Sequence, residues 1–219
     1  KEFMAFCKRN PILFSKSPNG MFGKGVDPIY IEDIKDLDVF YDKCKKDKIL
    51  LEEVLTQNDE LAAFNNSAVN TIRIVTLICA DDSIRIMAAV LRLSRKGKFA
   101  DNFHHDGIAA LIDIETGLVN TVGVDRKWNR YTVHPDSRKS IVGFQIPKWS
   151  EILATVKNAA WVHPEVRYVG WDVTIKGNGE IVLIEGNSGA DPDVTQVEDQ
   201  IGKWPLYEPL LKDIEKMKF

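Results

Sequence analysis

Hydrophobic and polar positions change their rhythm near residue 70. Before that point, short apolar runs are separated by polar breaks. Residues 11–15 predict a strand that closes on Lys16. A turn-rich stretch, 17–25, leads to a second short strand at 29–31. Residues 33–44 carry helical spacing, with Leu37, Phe40 and Tyr41 on one side. Residues 49–55 predict another strand, and Asn65 to Ser67 form a polar break. Beyond it the pattern is strongly β. Residues 71–79 are apolar and β-branched, and 83–93 alternate after an Asp81-Asp82 turn. Residues 108–114 run through Glu115-Thr116-Gly117 into 118–122, the expected hairpin partner. Residues 149–161 predict a helix, with Ser150 as its cap and Ile152, Leu153 and Val156 inward. Residues 168–175 and 181–185 predict strands flanking Lys176-Gly177-Asn178-Gly179, and 207–217 a closing helix. A β-rich chain with few helices is α+β. A lobe boundary near 55–66 divides it into a small lobe, 1–56, and a large one, 57–219.

Composition narrows the function classes. The chain has 219 residues, 44% hydrophobic and 28% charged, the profile of a soluble globular protein. A net charge of -3 gives no general argument for nucleic acid or membrane surfaces. No apolar run approaches the roughly 18 residues needed to cross a bilayer. Cys7, Cys44 and Cys79 are odd in number and widely spaced. They read as free thiols in a reducing, cytoplasmic compartment, and neither as a disulfide frame nor as a zinc site.

The richest chemistry lies between Gly170 and Asp193. If the last two strands pair across Gly177 to Gly179, Asp172 and Glu185 emerge near one end of the hairpin. Glu185 and Asn187, two apart, share a strand face. Two carboxylates and an amide oxygen suit Mg²⁺, which takes few protein ligands and completes its octahedron with phosphate oxygens. A solvated hairpin end with unrelated acids is the alternative. Lys16 closes a strand before Gly20, Gly23, Lys24 and Gly25. A lysine there neutralises phosphate as a point cation, and glycines let backbone N–H groups approach phosphate oxygens. A surface hairpin with a solvated lysine reads equally from spacing alone. Glu52 and Glu53 should point to opposite sides, so only one of them can face a base edge, helped by backbone atoms of Val54 and Leu55, and an exposed acidic strand end is the alternative. Arg73 interrupts an apolar strand. If buried it needs an anion, such as a phosphate. If its apolar neighbours alone point inward, it is solvent-facing. Asn102, His104 and His105 form a polar loop, without zinc-like spacing.

The segments Tyr-Val-Gly-Trp-Asp-Val (168–173) and Val-Leu-Ile-Glu-Gly-Asn (182–187) resemble those of the ATP-grasp superfamily. In that superfamily the acid of the first strand and the Glu and Asn of the second bind magnesium. The resemblance assigns these roles to Asp172, Glu185 and Asn187. Phe14-Ser15-Lys16 with Gly20, Gly23 and Gly25 resembles the strand lysine and phosphate-covering flap. Residues 50–55 resemble the lobe-connecting strand that holds adenine, and 70–75 the strand that carries an arginine to the phosphates. Residues 102–108 resemble the Asn-containing loop beside the site, with Asn102 toward the nucleotide. The phrases at 70–77, 141–147 and 164–173 are most similar to the sugar-transfer-associated group, related to proteins of teichuronopeptide synthesis. Met21 and Phe22 depart from the small residues common in the flap, and the chain begins too late to include the preceding domain usual in these enzymes.

The resemblance implies an ATP-grasp fold whose two α+β lobes hold the nucleotide between them. It further implies an ATP- and Mg²⁺-dependent carboxylate–amine ligase in cell-surface polysaccharide synthesis, acting on a small-molecule or glycan-linked substrate. Lys16 and Arg73 would stabilise charge during γ-phosphoryl transfer to a carboxylate. An amine would then attack the acylphosphate. Phosphoryl transfer to a sugar or hydroxyl, and nucleotide binding without catalysis, are the other readings of the same residues.

Overall fold

The computed structural model describes residues 1–16, 26–97 and 107–217. The chain divides into two compact units, Lys1–Thr56 and Gln57–Phe219.

The first unit is built on helix α1 (Glu2–Arg9), strand β1 (Ile12–Lys16), strand β2 (Val26–Tyr30), helix α2 (Leu37–Lys46) and strand β3 (Leu50–Glu53). The strands form an antiparallel sheet with β1 central, between β2 and β3. Leu13 on β1 is fully buried, as are Cys7 of α1 and Cys44 of α2. All three cysteines of the chain are free thiols. The Phe3 ring lies 6.0 Å from Phe40 and 4.9 Å from Tyr41, so aromatic contacts join the two helices. The sequence pattern did not predict α1. It also placed the start of α2 four residues early. Ile31–Asp33 make a 3₁₀ turn, and the Asp36 side chain accepts from the N–H groups of Asp38 and Val39, which fixes the first α-helical turn at Leu37.

The second unit begins with the short helix α3 (Asp59–Ala62). Its sheet contains β4 (Thr71–Ile78), β5 (Ile84–Leu93), β6 (Ile108–Leu111), β7 (Gly123–Asp125), β8 (Arg130–Tyr131), β9 (Tyr168–Ile175) and β10 (Ile181–Asn187). The spatial order is β10-β9-β4-β5-β6-β7-β8, every pair antiparallel. Helix α4 (Trp149–Ala160) and α5 (Trp204–Glu215) complete it.

Both faces of the central strands are covered. On one face Ile72, Ile74, Leu91, Leu93, Ile108 and Val173 pack with Trp149, Ile152 and Val156 of α4. On the other, Val75, Leu77, Met87 and Ala88 pack under Tyr207, Leu210 and Ile214 of α5. Farther along that second face Val90 and Ala109 lie against Val194 and Val197. β4 therefore reads as a nearly continuous apolar run, the pattern of a strand buried on both sides.

Two expectations are corrected. Ser150 does not cap α4. The residue at the cap is Lys148, in the left-handed region at φ 54°, and no side chain caps the helix. Residues 118–122 do not form the ladder partner of β6. The turn tightens around Asp113, which accepts from Thr116, and Leu111 N–H donates to Thr121 Oγ1 instead of to a ladder carbonyl. Only a bridge joins Ile112 to Val119, and β6 pairs with β7. Gly117 sits at φ 76° with the Trp149 ring packed where a side chain would stand.

A polar hub ties the entry to β4. Asn70, fully buried, donates to the carbonyls of Leu61 and Asn65, and its Oδ1 accepts from Ser94 N–H and Oγ. Among the described residues no helix is long and apolar enough to cross a membrane.

Candidate functional site

The β9–β10 hairpin runs in one register from its turn to Leu183, which pairs with Val173. There the register shifts, and Glu185 pairs with Asp172. A regular ladder would have set Ile184 opposite Asp172 and kept Glu185 on the face of Ile181 and Leu183, against the α4 core. The bulge at Ile184 turns Glu185 and Asn187 to the opposite face. Gly186 then crosses Trp171, whose ring atoms lie 2.8 Å from where a Cβ would stand, so only glycine fits between Glu185 and Asn187.

Arg73 on β4 is the other cross-strand neighbour of Asp172, so Arg73, Asp172 and Glu185 form one row on one face. Arg73 is not a solvent-facing residue. Its side chain is 12% exposed, and that of Asp172 is 5% exposed. Arg73 donates from Nε to Asp172 Oδ1 at 2.5 Å and from Nη2 to Oδ2 at 3.0 Å, a two-pronged pair. Arg92, on β5, donates from Nη1 to both oxygens at 3.0 and 3.1 Å. Burial pushes the Asp172 carboxyl up, but Arg92 and Arg73, with Glu185 beside it, hold it below the usual carboxylate range. The two guanidiniums balance the Asp172 and Glu185 carboxylates, so the row is neutral, and a magnesium ion held at Glu185 would give it the polarity needed by phosphate. Gly170 makes room for this. A Cβ there would stand 3.2 Å from Arg73 Cδ and 2.5 Å from the Ala190 methyl.

Glu185 is exposed, and Asn187 donates from Nδ2 to its Oε1 at 3.1 Å. Glu185 Oε2 and the Asn187 amide oxygen remain as hard-oxygen donors on one strand face. That pair fits the protein share of a magnesium site, which needs one or two protein ligands besides phosphate and water. Asp172 fits only by exchanging an arginine contact, since both its oxygens are engaged. Among the described residues, no three His, Cys, Asp or Glu side chains gather around one point as a metal site would require.

In the first unit, Lys16 and Glu52 meet. Nζ lies 2.7 Å from Oε2, with both side chains about one third exposed. Their strands pair with Phe14 opposite Glu52 and Lys16 opposite Leu50, which brings the two charges onto a shared face. Glu53 is exposed, as is Val54 beyond the strand, and Leu55 is half-buried. Gly20, Gly23, Gly25, Asn102, His104 and His105 lie outside the described residues.

The sequence reading did not single out Arg92. Its signal was the same as that of Arg73: an arginine inside Val90-Leu91-Arg92-Leu93, a strand otherwise buried. Nor did it single out Glu198, 2% exposed, with neither carboxyl oxygen hydrogen-bonded. Burial, with Asp199 and Asp193 nearby, pushes this carboxyl up to about 8. His134, by contrast, is fully buried with Nε2 3.0 Å from the Ser94 carbonyl, and burial lowers its pKa, so it is a neutral core residue.

The family model described as sugar-transfer associated ATP-grasp matches residues 31–214, well over half of the chain. No curated protein matches it. Among solved structures, the ATP-grasp ligase PsnB, complexed with a phosphomimetic variant of its minimal precursor, Mg and ADP, is 13% identical. That match has a TM-score of 0.55 and covers 96% of this chain and 49% of PsnB. D-alanyl-alanine synthetase A from Vibrio cholerae O1 biovar eltor str. N16961 is 11% identical, with a TM-score of 0.52, over 98% of this chain and 56% of that one. A biotin carboxylase–ATP complex from Campylobacter jejuni is 14% identical, with a TM-score of 0.52, over 97% and 39%. The chain thus spans roughly half the length of the structures it matches. At these identities the likeness establishes the α+β ATP-grasp fold.

Proposed function

Because this chain belongs to the sugar-transfer associated ATP-grasp family, we propose that it joins a carboxylate to an amine at the expense of ATP and Mg²⁺, in the building of cell-surface polysaccharide. The observation that carries the proposal is the row Arg73–Asp172–Glu185 with Arg92 beside it. Two cations and two outward oxygens converge on one sheet face.

In this reading Asp172 is a positioning residue that fixes both guanidiniums. Arg73 and Arg92 hold phosphoryl oxygens by charge-assisted hydrogen bonds as negative charge shifts toward the leaving ADP. Glu185 and Asn187 hold the metal. The chemistry that bound magnesium supplies is neutralisation of phosphate charge. Lys16 serves the phosphates as a third cation and exchanges Glu52 for them. Glu52 or Glu53, with the backbone of Val54 and Leu55, meets the base edge. Gly20, Gly23 and Gly25 cover the phosphates, and Asn102 approaches the nucleotide. The carboxylate oxygen attacks the γ-phosphorus, giving an acylphosphate and ADP. The amine nitrogen attacks the acyl carbon, phosphate leaves, and the amine loses its proton as the amide forms. Positioning and electrostatics suffice, without a protein nucleophile.

The test is Glu185→Gln. The side chain is exposed, so the fold should persist. Calorimetric titration with Mg·ADP should show at least tenfold weaker binding than wild type, with metal-free ADP binding little changed. Unaltered Mg·ADP affinity would remove Glu185 from the metal site. Transfer to a hydroxyl instead of an amine is separated by product analysis, since the ligase releases ADP in step with amide.

A further inference from the structure

A cleft opens in the larger unit, away from the row of arginines. It has a volume of about 330 Å³ and lies between the residues following β5 and the β7–β8 turn. Asp125, on its wall, pairs across the ladder with Ile108, a residue of the α4-side core. Cross-strand partners share a face, so Asp125 belongs to the sheet face opposite Arg73 and Arg92. The cleft is therefore a separate surface from the proposed nucleotide site.

Its acids are already saturated. Asp125 Oδ1 accepts from the N–H groups of Lys127 and Asn129 at 2.9 and 3.0 Å. Its Oδ2 accepts from Asn129 Nδ2 and the Tyr131 hydroxyl, both at 2.9 Å. Asp136 accepts from Arg95 Nε and Nη2 at 2.8 and 3.2 Å and from Lys96 N–H at 2.9 Å. These bonds, led by the Arg95 pair, hold the Asp136 carboxyl at about 2. The unspent capacity of the cleft is all on the donor side: the ammonium groups of Lys96 and Lys127, both exposed, and the remaining N–H groups of Arg95. Among the described residues neither lysine has an anionic partner. Three cations against two internally bound carboxylates make a positive, donor-rich cavity.

The turn between β7 and β8 carries an exposed aromatic residue next in sequence to two of the lining residues. Trp128 stands between the lining residues Lys127 and Asn129, is 61% exposed, and has φ 67°. Left-handed backbone suits Gly, Asn or Asp, and a bulky aromatic residue there is strained. Burial does not offset that strain, because the side chain lies in solvent. An exposed, strained tryptophan next in sequence to a lysine that has no anionic partner among the described residues has the composition of a binding surface. The volume sits at the small end of ligand pockets, roughly 300–1,000 Å³, which leaves room for one six-membered ring with its anionic group.

We propose that this cleft binds an anionic sugar: the carboxylate or phosphate is held by Lys96, Lys127 and Arg95, and the C–H face of the ring lies on Trp128. The proposal does not depend on the ligase reading, because binding is measured without nucleotide. The experiment titrates the full chain with glucuronate, glucose 6-phosphate, glucose and inorganic phosphate. It follows heat and the indole N–H resonance of Trp128, assigned with Trp128→Gly. Glucuronate, glucose 6-phosphate or both should bind and shift that resonance, which identifies whether carboxylate or phosphate is preferred. Glucose should bind at least tenfold more weakly. Lys96→Ala/Lys127→Ala should weaken the anionic sugar at least tenfold while leaving melting unchanged. Trp128→Gly should also weaken it while raising the melting temperature, since it relieves the left-handed strain. The proposal is overturned if no anionic sugar binds, or if inorganic phosphate binds as tightly with Trp128 undisturbed, an adventitious ion only. It is equally overturned if Lys96→Ala/Lys127→Ala binds as wild type does.

Discussion

Glu198→Gln should stabilise the protein, and by an amount that grows with pH. The wild-type carboxyl is buried with both oxygens unbonded, and its pKa stands near 8 against an ordinary 4.5. The folded state therefore keeps a proton that the unfolded chain releases. Between pH 4.5 and about 8 the unfolded state binds fewer protons, so stability falls as pH rises. Each pH unit in that window removes about 1.4 kcal/mol. The full window is worth on the order of 5 kcal/mol, and water entering the segment around Glu198 sets an upper limit on what is realised. Glutamine keeps the shape and has no charge to bury, so it should abolish the slope. In a unit of this size about 1 kcal/mol corresponds to roughly 2–4 °C in melting temperature. Even half of the window then separates the two proteins by about 5–10 °C at pH 8.5. At pH 4.5 they should melt together. Calorimetric scans of both proteins from pH 4.5 to 8.5 measure the difference directly. Parallel melting curves across that range would show that Glu198 is solvated or paired, and the argument from burial would fail.

Three further outcomes follow from the same packing. Arg92→Leu removes one of two guanidiniums from the buried Asp172, which keeps Arg73, and should cost about 1.5–3 kcal/mol in urea unfolding. Because the wild-type Asp172 pKa is lowered, its contribution is present above the ordinary carboxylate range and is lost on acidification. The variant's deficit should accordingly shrink below about pH 4. Gly170→Ala brings a methyl to 2.5 Å from the Ala190 side chain and 3.2 Å from Arg73 Cδ. It should cost about 1–3 kcal/mol and weaken ADP binding through displacement of Arg73. Asn70→Ala removes one donor each from the carbonyls of Leu61 and Asn65, which keep Phe64 N–H and Gln57 Nε2, and leaves the buried amide of Ser94 without its acceptor. It should cost about 3 kcal/mol by thermal or urea unfolding, with no change in Mg·ADP affinity beyond that due to unfolding.

Legibility in the sequence followed the length and regularity of each element. β9 was fully readable because its eight residues carry β-branched and aromatic side chains between clear breaks. β4 and β5 were readable for the same reason. The helix α1 was not, because eight residues give only two turns of periodic signal. β6 to β8 are too short for alternation to register, and the ladder after β6 is interrupted where Leu111 N–H donates to the Thr121 side chain, which no periodicity encodes. Arg73 was legible as an anomaly in an apolar strand. Whether it faced solvent was not, since that depends on the cover over Val90 and Ala109 from Val194 and Val197, about one hundred residues away in sequence.

The pairing of Glu185 with Asp172 shows how a correct expectation can rest on an incomplete reason. Turn position alone put both acids at one end of the hairpin. Strict alternation from Leu183, whose partner Val173 is in the α4-side core, would have put Glu185 in that core as well. An uncompensated carboxylate there would be costly. The single extra residue at Ile184 resolves the conflict by changing the face of everything after it. The same shift sets Gly186 across Trp171, where a side chain would collide. The glycine in Glu-Gly-Asn thus answers to the bulge and the tryptophan beneath it, while the residues on either side of it answer to the arginines. One strand can serve the core with Ile181 and Leu183 and the site with Glu185 and Asn187 only because its register breaks between them.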